Sequence, residues 1–195
     1  MTVSATILAA GESTRMGKDN KLLLNFRGEP MIRYICKTII SARFNPVKVI
    51  TGFEQEKIES VLSDLNLSTV NNKKWKDGIS SSIAVGVSSI IEEADGNIIV
   101  LGDMPFISVK VLNQLSNAFK LENGKKIVYP LYAGQQANPV IFPKKYFADI
   151  ISNKGDLGCK KIIERYKFNA LHIDIKSNEV IVDCDEREDY LKLNK

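Results

Sequence analysis

The residues best suited to chemistry begin in a glycine-containing stretch, LAAGESTRMGKDNK, that runs from Leu8 to Lys21. Small residues directly after a strand let the backbone approach a ligand closely, and consecutive N–H groups then form a concavity that binds anions. Arg15 adds a bidentate donor for phosphate oxygens, and Lys21 adds a mobile positive charge. This combination predicts a site for the phosphates of a nucleotide.

Two better-known phosphate motifs do not fit this stretch. The Walker A motif has four residues between its glycines, followed by Lys and then Ser or Thr. Here five residues separate Gly11 from Gly17, and Lys18 is followed by Asp19. The dinucleotide fingerprint GxGxxG also fails, because position 13 is a serine. The loop is therefore predicted to be neither a P-loop nor a nicotinamide-binding turn.

Two later stretches bring polar groups to the ends of predicted elements. Asp103 follows the apolar run NIIVL, and a carboxylate at the carboxyl end of a strand is suited to hold a hard cation. A turn with a capping aspartate would also explain it. The stretch GISSS, from Gly78 to Ser82, opens a predicted helix whose free N–H groups and hydroxyls suit a nucleotide. Capping alone would explain one of these serines, not three in a row.

Composition excludes several classes of protein. The chain has 195 residues, which suffice for one domain and are few for two. Its net charge is +4, and its Lys and Arg residues do not form a basic stripe, so no nucleic acid is expected as a partner. Lys73, Lys74 and Lys76 are interpreted as a solvated face. The three cysteines lack metal-ligand spacing, and no apolar run approaches the roughly 20 residues of a membrane helix. We expect a soluble cytoplasmic protein without membrane partners.

Hydrophobic periodicity predicts strands that alternate with helices, and hence a parallel sheet covered on both faces. Predicted strands cover residues 3–9, 47–51, 68–70, 97–101 and 170–175, and predicted helices cover 30–40, 54–65, 79–91, 108–119, 146–151, 159–166 and 186–193. Residues 126–143 contain two extended segments around a turn, which could pair antiparallel. The expected architecture is one α/β domain, 1–195, with a doubly wound, mostly parallel, Rossmann-like sheet and a small antiparallel subregion.

The glycine loop resembles the signature LAAGxSxRMGxxK(x)LL of the MobA-like nucleotidyltransferases, and within them most closely the molybdenum cofactor cytidylyltransferases. The matching positions are Leu8, Ala9, Ala10, Gly11, Ser13, Arg15, Met16, Gly17, Lys21, Leu22 and Leu23. A glycine turn between a strand and a helix would explain Gly11 but neither Arg15 nor Lys21. The resemblance extends from Ile7 to Tyr190 and implies the nucleotidyltransferase fold, with a nucleotide-binding half of about 1–106 and an acceptor-binding half of about 107–195.

The resemblance also implies roles in the nucleotide site. Arg15 and the loop N–H groups would hold the β- and γ-phosphates, Lys21 would stabilise charge on the α-phosphoryl group, and Asp103 would hold Mg²⁺. The other implied nucleotide-binding residues are the loop positions Leu8, Ala9, Ala10, Gly11, Ser13, Met16 and Gly17, and beyond the loop Thr51, Gly52, Gly78, Ser80, Ser81 and Ser82.

The acceptor side is implied by two further segments, NPVIF from residue 138 and GDLGC from residue 155. The implied acceptor-binding residues are Asn138, Pro139, Val140, Gly155 and Asp156. An edge strand with a proline would equally explain the first segment. The chain departs from the family pattern where Ala137 replaces a glycine and Cys159-Lys160 replaces Ala-Arg, a change that keeps a cation but loses bidentate phosphate geometry.

The segment DCDEREDY, residues 183–190, resembles the family's terminal D(I)DTPEDY. This implies that Asp183 or Asp185 returns to the site as a second metal ligand. Capping of a last helix with an acidic first turn would equally explain Asp185.

The implied reaction is attack by an acceptor phosphate on the α-phosphorus of a nucleotide, with release of pyrophosphate. Ala10, where the guanylyl branch more often has a second glycine, favours CTP with molybdopterin, and a molybdenum hydroxylase as the recipient of the product. Three alternatives stay open: GTP with molybdopterin, a sugar or polyol phosphate acceptor, and a non-catalytic accessory protein for a molybdenum hydroxylase. His172, the sole histidine, is expected to pack in an apolar strand, so histidine-based hydrolase chemistry is not expected.

Overall fold

The computed structural model describes residues 1–13, 19–153, 158–184 and 190. In this part of the chain, eight strands form one mixed sheet, and two more, Asn25–Phe26 and Glu29–Pro30, form a separate short hairpin. In chain order the strands are β1 (Val3–Ala9), β2 (Asn25–Phe26), β3 (Glu29–Pro30), β4 (Val47–Thr51), β5 (Ser68–Asn71), β6 (Gly96–Leu101), β7 (Ile127–Tyr132), β8 (Gln135–Gln136), β9 (Val140–Pro143) and β10 (Ala170–Asp174). The helices are α1 (Met31–Ser41), α2 (Gln55–Leu62), α3 (Ile79–Ser88), α4 (Val109–Leu121), α5 (Phe147–Ser152) and α6 (Lys160–Arg165).

The sheet has the order β10-β7-β9-β6-β1-β4-β5, with β8 beside β7. The β6-β1-β4-β5 half is parallel throughout, whereas β9 runs antiparallel to both β6 and β7. The predicted fold class is therefore confirmed, including the antiparallel subregion, in which β7 and β8 are the two extended segments around a turn.

Helices cover both faces of the sheet because each carries an apolar stripe of helical period. On one face α1, α2 and α4 pack through residues such as Ile35, Ile58 and Leu112. On the other face α3, α5 and α6 contribute a second cluster that includes Ile83 and Phe147. Among the helices described, none has the length and apolarity that a membrane-spanning helix requires.

Some details differ from the prediction. The short hairpin β2–β3 was not anticipated, and α3 ends at Ser88 rather than at residue 91. His172 was expected to pack in an apolar strand, but it is exposed, because β10 is an edge strand whose alternate side chains face outward. The predicted last helix, 186–193, lies outside the described residues except at Tyr190.

The approach of α3 to β1 requires a glycine. A Cβ atom on Gly86 would lie 2.3 Å from Cγ2 of Thr6 and 3.2 Å from Cγ1 of Ile50. Thr6 is buried there because its hydroxyl accepts a hydrogen bond of 2.9 Å from the side-chain amide of Asn97, which is itself fully buried. This packing fixes α3, and with it the N-terminus of the helix, against the central strand.

Gly86→Ala should therefore destabilise the fold. Overpacking of this kind costs about 1–3 kcal/mol, partly offset by the better helix propensity of alanine, which is worth about 1 kcal/mol. Urea denaturation should show the loss in the free energy of unfolding. Ser88→Ala, at an exposed position of the same helix, should stay within about 0.5 kcal/mol of the parent chain. A Gly86→Ala protein as stable as the parent would contradict this account of the packing.

Candidate active site

A cavity of about 470 Å³ opens at the carboxyl ends of β1 and β6, beside the N-terminus of α3. Its walls consist of Leu8, Ala9, Ala10, Gly11, Glu12, Ser13, Lys21, Leu22, Trp75, Lys76, Gly78, Ile79, Ser82, Leu101, Gly102 and Asp103. This is where open α/β sheets bind ligands. The cavity thus brings together predicted residues from three separate stretches of the chain.

The glycine loop forms one wall of this cavity. Ala10 is 4 % exposed, so the loop begins inside the protein and then turns outward. A Cβ atom on Gly11 would have no atom of the described residues within 4 Å, apart from its chain neighbours. A ligand could therefore approach the backbone closely, as the anion-binding interpretation requires. The predicted site residues Arg15, Met16, Gly17, Gly155, Asp156 and Asp185 lie outside the described residues.

Lys21 and Asp103 form an ion pair on the cavity wall, although 82 positions separate them. The distance from Nζ of Lys21 to Oδ2 of Asp103 is 2.5 Å, and the two side chains are 14 % and 17 % exposed. Lys21 opens a short 3-10 turn that the side chain of Asn20 caps. Asp103 follows Gly102, where a Cβ atom would lie 2.6 Å from the carbonyl oxygen of Leu8. Glycine at that position lets the end of β6 lie against β1 and brings the carboxylate to the lysine.

The Asp103 carboxylate fits a divalent cation. Its Oδ1 is buried and has no hydrogen-bond partner among the described residues. Such an oxygen is costly unless another group completes its coordination. The N–H of Cys184 donates to the backbone carbonyl of Asp103 at 3.0 Å, which brings the exposed Asp183 to the same strand end.

No group of three or more His, Cys, Asp or Glu side chains converges within the described ranges. Among the residues that the structure describes, a cation at Asp103 would depend on this carboxylate and on ligand oxygens. Mg²⁺ is commonly held in this way, with substrate phosphates and water completing its coordination.

Only some of the nucleotide-binding residues predicted at the N-terminus of α3 line the cavity. Gly78 has φ 94° and ψ 173°, a conformation that is essentially restricted to glycine. Gly78 and Ser82 line the cavity. Ser81 instead donates to the carbonyls of Lys74 and Gly78, at 2.9 and 2.8 Å. Ser80 is buried away from the cavity wall and 2 % exposed.

The carboxyl end of β4 lies behind the cavity wall. Thr51 is fully buried, and Gly52 lies against Trp75, which forms the wall itself. Sequence reasoning did not identify Trp75. It also assigned Lys76 to a solvated face, whereas this lysine lines the cavity. The only sequence signal for Trp75 and Lys76 was their position a few residues before the serine-rich start of the helix. That signal is too weak to predict that they line a cavity.

A second cavity, of about 250 Å³, adjoins the first and shares Leu8, Ile79 and Leu101 with it. Its other walls are Ile83, Ile99, Gln136, Ala137, Asn138, Val140, Gly158, Cys159 and Lys160. Of the predicted acceptor residues, Asn138 and Val140 line this cavity, whereas Pro139 is buried behind it. All three departures from the family pattern, Ala137, Cys159 and Lys160, lie on its surface.

Cys159 is a wall of this cavity and not a nucleophile. Burial raises the pKa of its thiol to about 12, so the thiol stays protonated at neutral pH. Because the thiolate is the reactive form of cysteine, the side chain serves here as a small neutral surface.

The fold and the position of the cavity are those expected of a nucleotidyltransferase. Residues 5–170 match the family described as MobA-like NTP transferase domain, and the chain belongs to that family. The predicted resemblance to the MobA-like nucleotidyltransferases is thereby confirmed.

Curated relatives agree with this assignment. The purine catabolism protein PucB of Bacillus subtilis is 29 % identical over 193 residues, which cover 94 % of this chain and 91 % of that protein. The bifunctional protein GlmU of Symbiobacterium thermophilum is 31 % identical over 119 residues. That match covers 60 % of this chain but only 25 % of GlmU, so it concerns one part of a longer protein.

Solved structures share the fold. Rv0371c of Mycobacterium tuberculosis superimposes with a TM-score of 0.87 at 21 % identity, covering 99 % of this chain and 97 % of that one. A manganese complex of Rv0371c is also known, with a TM-score of 0.84 at 20 % identity and coverage of 99 % and 98 %. A nucleotidyl transferase from Methanothermobacter thermautotroptrophicus reaches 0.84 at 21 % identity, with coverage of 98 % and 95 %. A CMP:2-keto-3-deoxy-manno-octonic acid synthetase complexed with CTP reaches 0.80 at 12 % identity, with coverage of 99 % and 97 %.

The ion pair generates a prediction about cation binding. Asp103→Asn should weaken Mn²⁺ binding to the nucleotide-free protein by about ten-fold or more, because the neutral amide loses the anionic ligand. Lys21→Met should keep Mn²⁺ binding or tighten it, because the lysine no longer competes for the carboxylate. Electron paramagnetic resonance of free Mn²⁺ measures both. Equal loss in the two variants would show that the ion pair supports the fold and that Asp103 is not a ligand.

Proposed function

We propose that this chain transfers a nucleoside monophosphate, preferably from CTP, to the phosphate of a molybdopterin-type acceptor and releases pyrophosphate. The observation that carries the proposal is the pair of adjoining cavities. The first contains the glycine loop and the Lys21–Asp103 pair, and the second combines apolar side chains with Gln136, Asn138 and Lys160. A nucleotide and an acceptor seated in the two would meet at Leu8, Ile79 and Leu101, the residues that both cavities share.

The reaction forms one bond and breaks one bond at the α-phosphorus. An acceptor phosphate oxygen attacks the phosphorus, and the bond from phosphorus to the oxygen that bridges to the β-phosphate breaks, so pyrophosphate leaves with its electron pair. The attacking phosphate is already ionised at neutral pH, so no strong base is needed. Catalysis then consists of positioning and charge stabilisation, with Lys21 on the α-phosphoryl oxygens and the loop N–H groups, with Arg15, on the β- and γ-phosphates.

Asp103, with Asp183 or Asp185, would hold Mg²⁺, which when bound neutralises charge on the phosphate oxygens. Lys21 would also neutralise charge on the phosphate oxygens, with or without the cation, because its ammonium lies on the cavity wall beside Asp103. The carboxylate thus orients the lysine while it retains Oδ1 for the metal.

The preference for CTP rests on Ala10. Its Cβ atom removes the backbone freedom that a second glycine would have, and the residue is held in place because its carbonyl accepts the N–H of Phe53 at 3.1 Å. The solved synthetase with bound CTP shares this fold, which is compatible with a cytidine nucleotide. GTP with the same acceptor is the nearest alternative.

The acceptor preference rests on the second cavity. Ile83, Ile99 and Val140 give it an apolar floor, while Gln136, Asn138 and Lys160 supply polar groups at other points. A flat heterocycle with a phosphate arm suits such a surface, because it buries an apolar face and directs its polar groups to the edge. A sugar or polyol phosphate would leave several hydroxyls unpaired against isoleucine and valine. An accessory protein that only binds nucleotide would not need the Lys21–Asp103 pair.

A pyrophosphate-release assay with CTP, GTP, ATP and UTP, with and without molybdopterin, tests the proposal. We expect release with CTP and molybdopterin together, and loss of turnover in Lys21→Ala and in Asp103→Ala with the fold intact by circular dichroism. Lys37→Ala, which removes an exposed partner of Glu29, is the matched control and should keep full activity. Release that requires a sugar phosphate would refute the acceptor, and normal turnover in either site variant would refute the mechanism.

Lys160 generates a separate prediction about the acceptor. Lys160→Ala should raise the KM for the acceptor several-fold and leave the KM for the nucleotide unchanged, because this lysine lines only the second cavity. Lys161→Ala, which removes the same charge from the adjacent exposed position outside both walls, should leave both constants unchanged. If the two variants behave alike, Lys160 does not contact the acceptor.

A further inference from the structure

Trp75 is the sole tryptophan of the chain, and it lines the first cavity. It opens a 3-10 turn, Trp75–Asp77, that leads from β5 towards α3. The ring is half-buried and packs edge-on against Phe53, with 5.8 Å between the ring centroids. The ammonium of Lys76 lies 5.3 Å from the centroid of the indole ring. A large aromatic surface with a cation beside it thus faces the space where a nucleotide is proposed to bind.

The position of this ring is determined by the end of β4. A Cβ atom on Gly52 would lie 2.8 Å from both Cβ and Cγ of Trp75, and 2.8 Å from the carbonyl oxygen of Ala10. Trp75 therefore rests directly on the glycine backbone, next to the start of the phosphate loop. Any side chain at position 52 would displace the indole.

The turn is also held by Asn72, which is 2 % exposed. Its backbone N–H donates to the carbonyl of Thr51 at 2.8 Å, and its carbonyl accepts the N–H of Trp75 at 3.2 Å. Its side-chain Oδ1 accepts the N–H of Lys74 at 2.9 Å. A backbone N–H can only donate, so this contact fixes the orientation of the amide.

The opposite end of the same amide reaches the serines of α3. Nδ2 of Asn72 donates to Oγ of Ser81 at 2.9 Å and to Oγ of Ser82 at 3.0 Å. Because Ser82 accepts this hydrogen bond, its own hydroxyl proton can be donated to an acceptor atom in the cavity that it lines. One buried side chain thus positions both an aromatic wall and a hydroxyl donor.

The sheet order separates these groups from the charged ones. Asp103 follows β6 and the glycine loop follows β1, whereas Trp75 and Asn72 follow β5 on the far side of β4. If the phosphates occupy the β6–β1 side, the base and ribose extend towards β4 and β5. We infer that Trp75 contacts the base of the nucleotide and contributes to its binding, and that Gly52 and Asn72 position it. This inference rests on the proposed function, because it presupposes a nucleotide in the first cavity.

The sole tryptophan provides its own readout. Titration of the chain with each of the four nucleoside triphosphates and Mg²⁺ should change the tryptophan fluorescence, with the same Kd that calorimetry measures. Trp75→Ala should weaken binding of the preferred nucleotide about ten-fold or more, the scale of a base–aromatic contact, and Trp75→Phe should restore part of it. Lys73→Ala, in the same segment but outside the cavity wall, should bind as the parent chain does.

Asn72→Ala and Gly52→Ala test the positioning roles. Both should shift the emission maximum of Trp75 before any nucleotide is added, and both should raise the KM for the nucleotide without changing the KM for the acceptor. A merely structural role would alter both constants together or neither. Circular dichroism shows whether each variant has folded. If one of the two has not, the other still tests whether Trp75 is positioned in this way.

Calorimetry and fluorescence together distinguish a failure of this inference from a failure of the proposed function. If calorimetry detects nucleotide binding while the fluorescence stays constant and Trp75→Ala binds normally, the inference is overturned and the proposed function stands. If calorimetry detects no nucleotide binding, the proposed function fails and the inference fails with it.

Discussion

Parallel pairing of β1 with both β4 and β6 is the constraint on which the site depends. Ala9 pairs with Thr51 and Leu8 pairs with Leu101, so these three strands end at the same edge of the sheet. The segments that leave this edge are the glycine loop, Gly52 and the Gly102-Asp103 turn. A slip of one residue between β1 and β6 would separate Thr6 from the buried Asn97, so the packing of this pair helps to maintain the register and thereby the site.

Close contacts to the backbone at three glycines bring the parts of the site together at this edge of the sheet. Glycine at positions 52, 86 and 102 allows a neighbouring side chain or carbonyl to approach to distances that a Cβ atom would prevent. The contacts fix, in turn, the tryptophan wall, the start of α3 and the Asp103 carboxylate. The buried side chains of Asn72 and Asn97 are paired with neighbouring hydroxyls, which reduces the cost of burying them.

The two adjoining cavities differ in chemistry, and each draws on distant parts of the chain. The first has an ion pair and a backbone loop, which suit a triphosphate. The second has an apolar floor in which Ile83 and Ile99 come from the predicted nucleotide-binding half, about 1–106, and Val140 comes from the predicted acceptor-binding half. The proposed division into a nucleotide half and an acceptor half therefore describes the order of the segments better than it describes the walls. The changes at Ala137, Cys159 and Lys160 line the second cavity and not the first.

Local pattern in the sequence was enough to predict the alternating elements, the doubly wound sheet and the family, because strand and helix periodicity and the spacing of the glycine loop are properties of neighbouring residues. The same pattern could not distinguish Ser82, which lines the cavity, from Ser80, which is buried away from it. Nor could it show that Lys21 and Asp103 form an ion pair. It also could not show that Trp75 and Lys76, which lie in a lysine-rich segment, line the first cavity. Those facts depend on which strand ends lie side by side and on how closely a glycine lets them approach, and only the tertiary structure decides both.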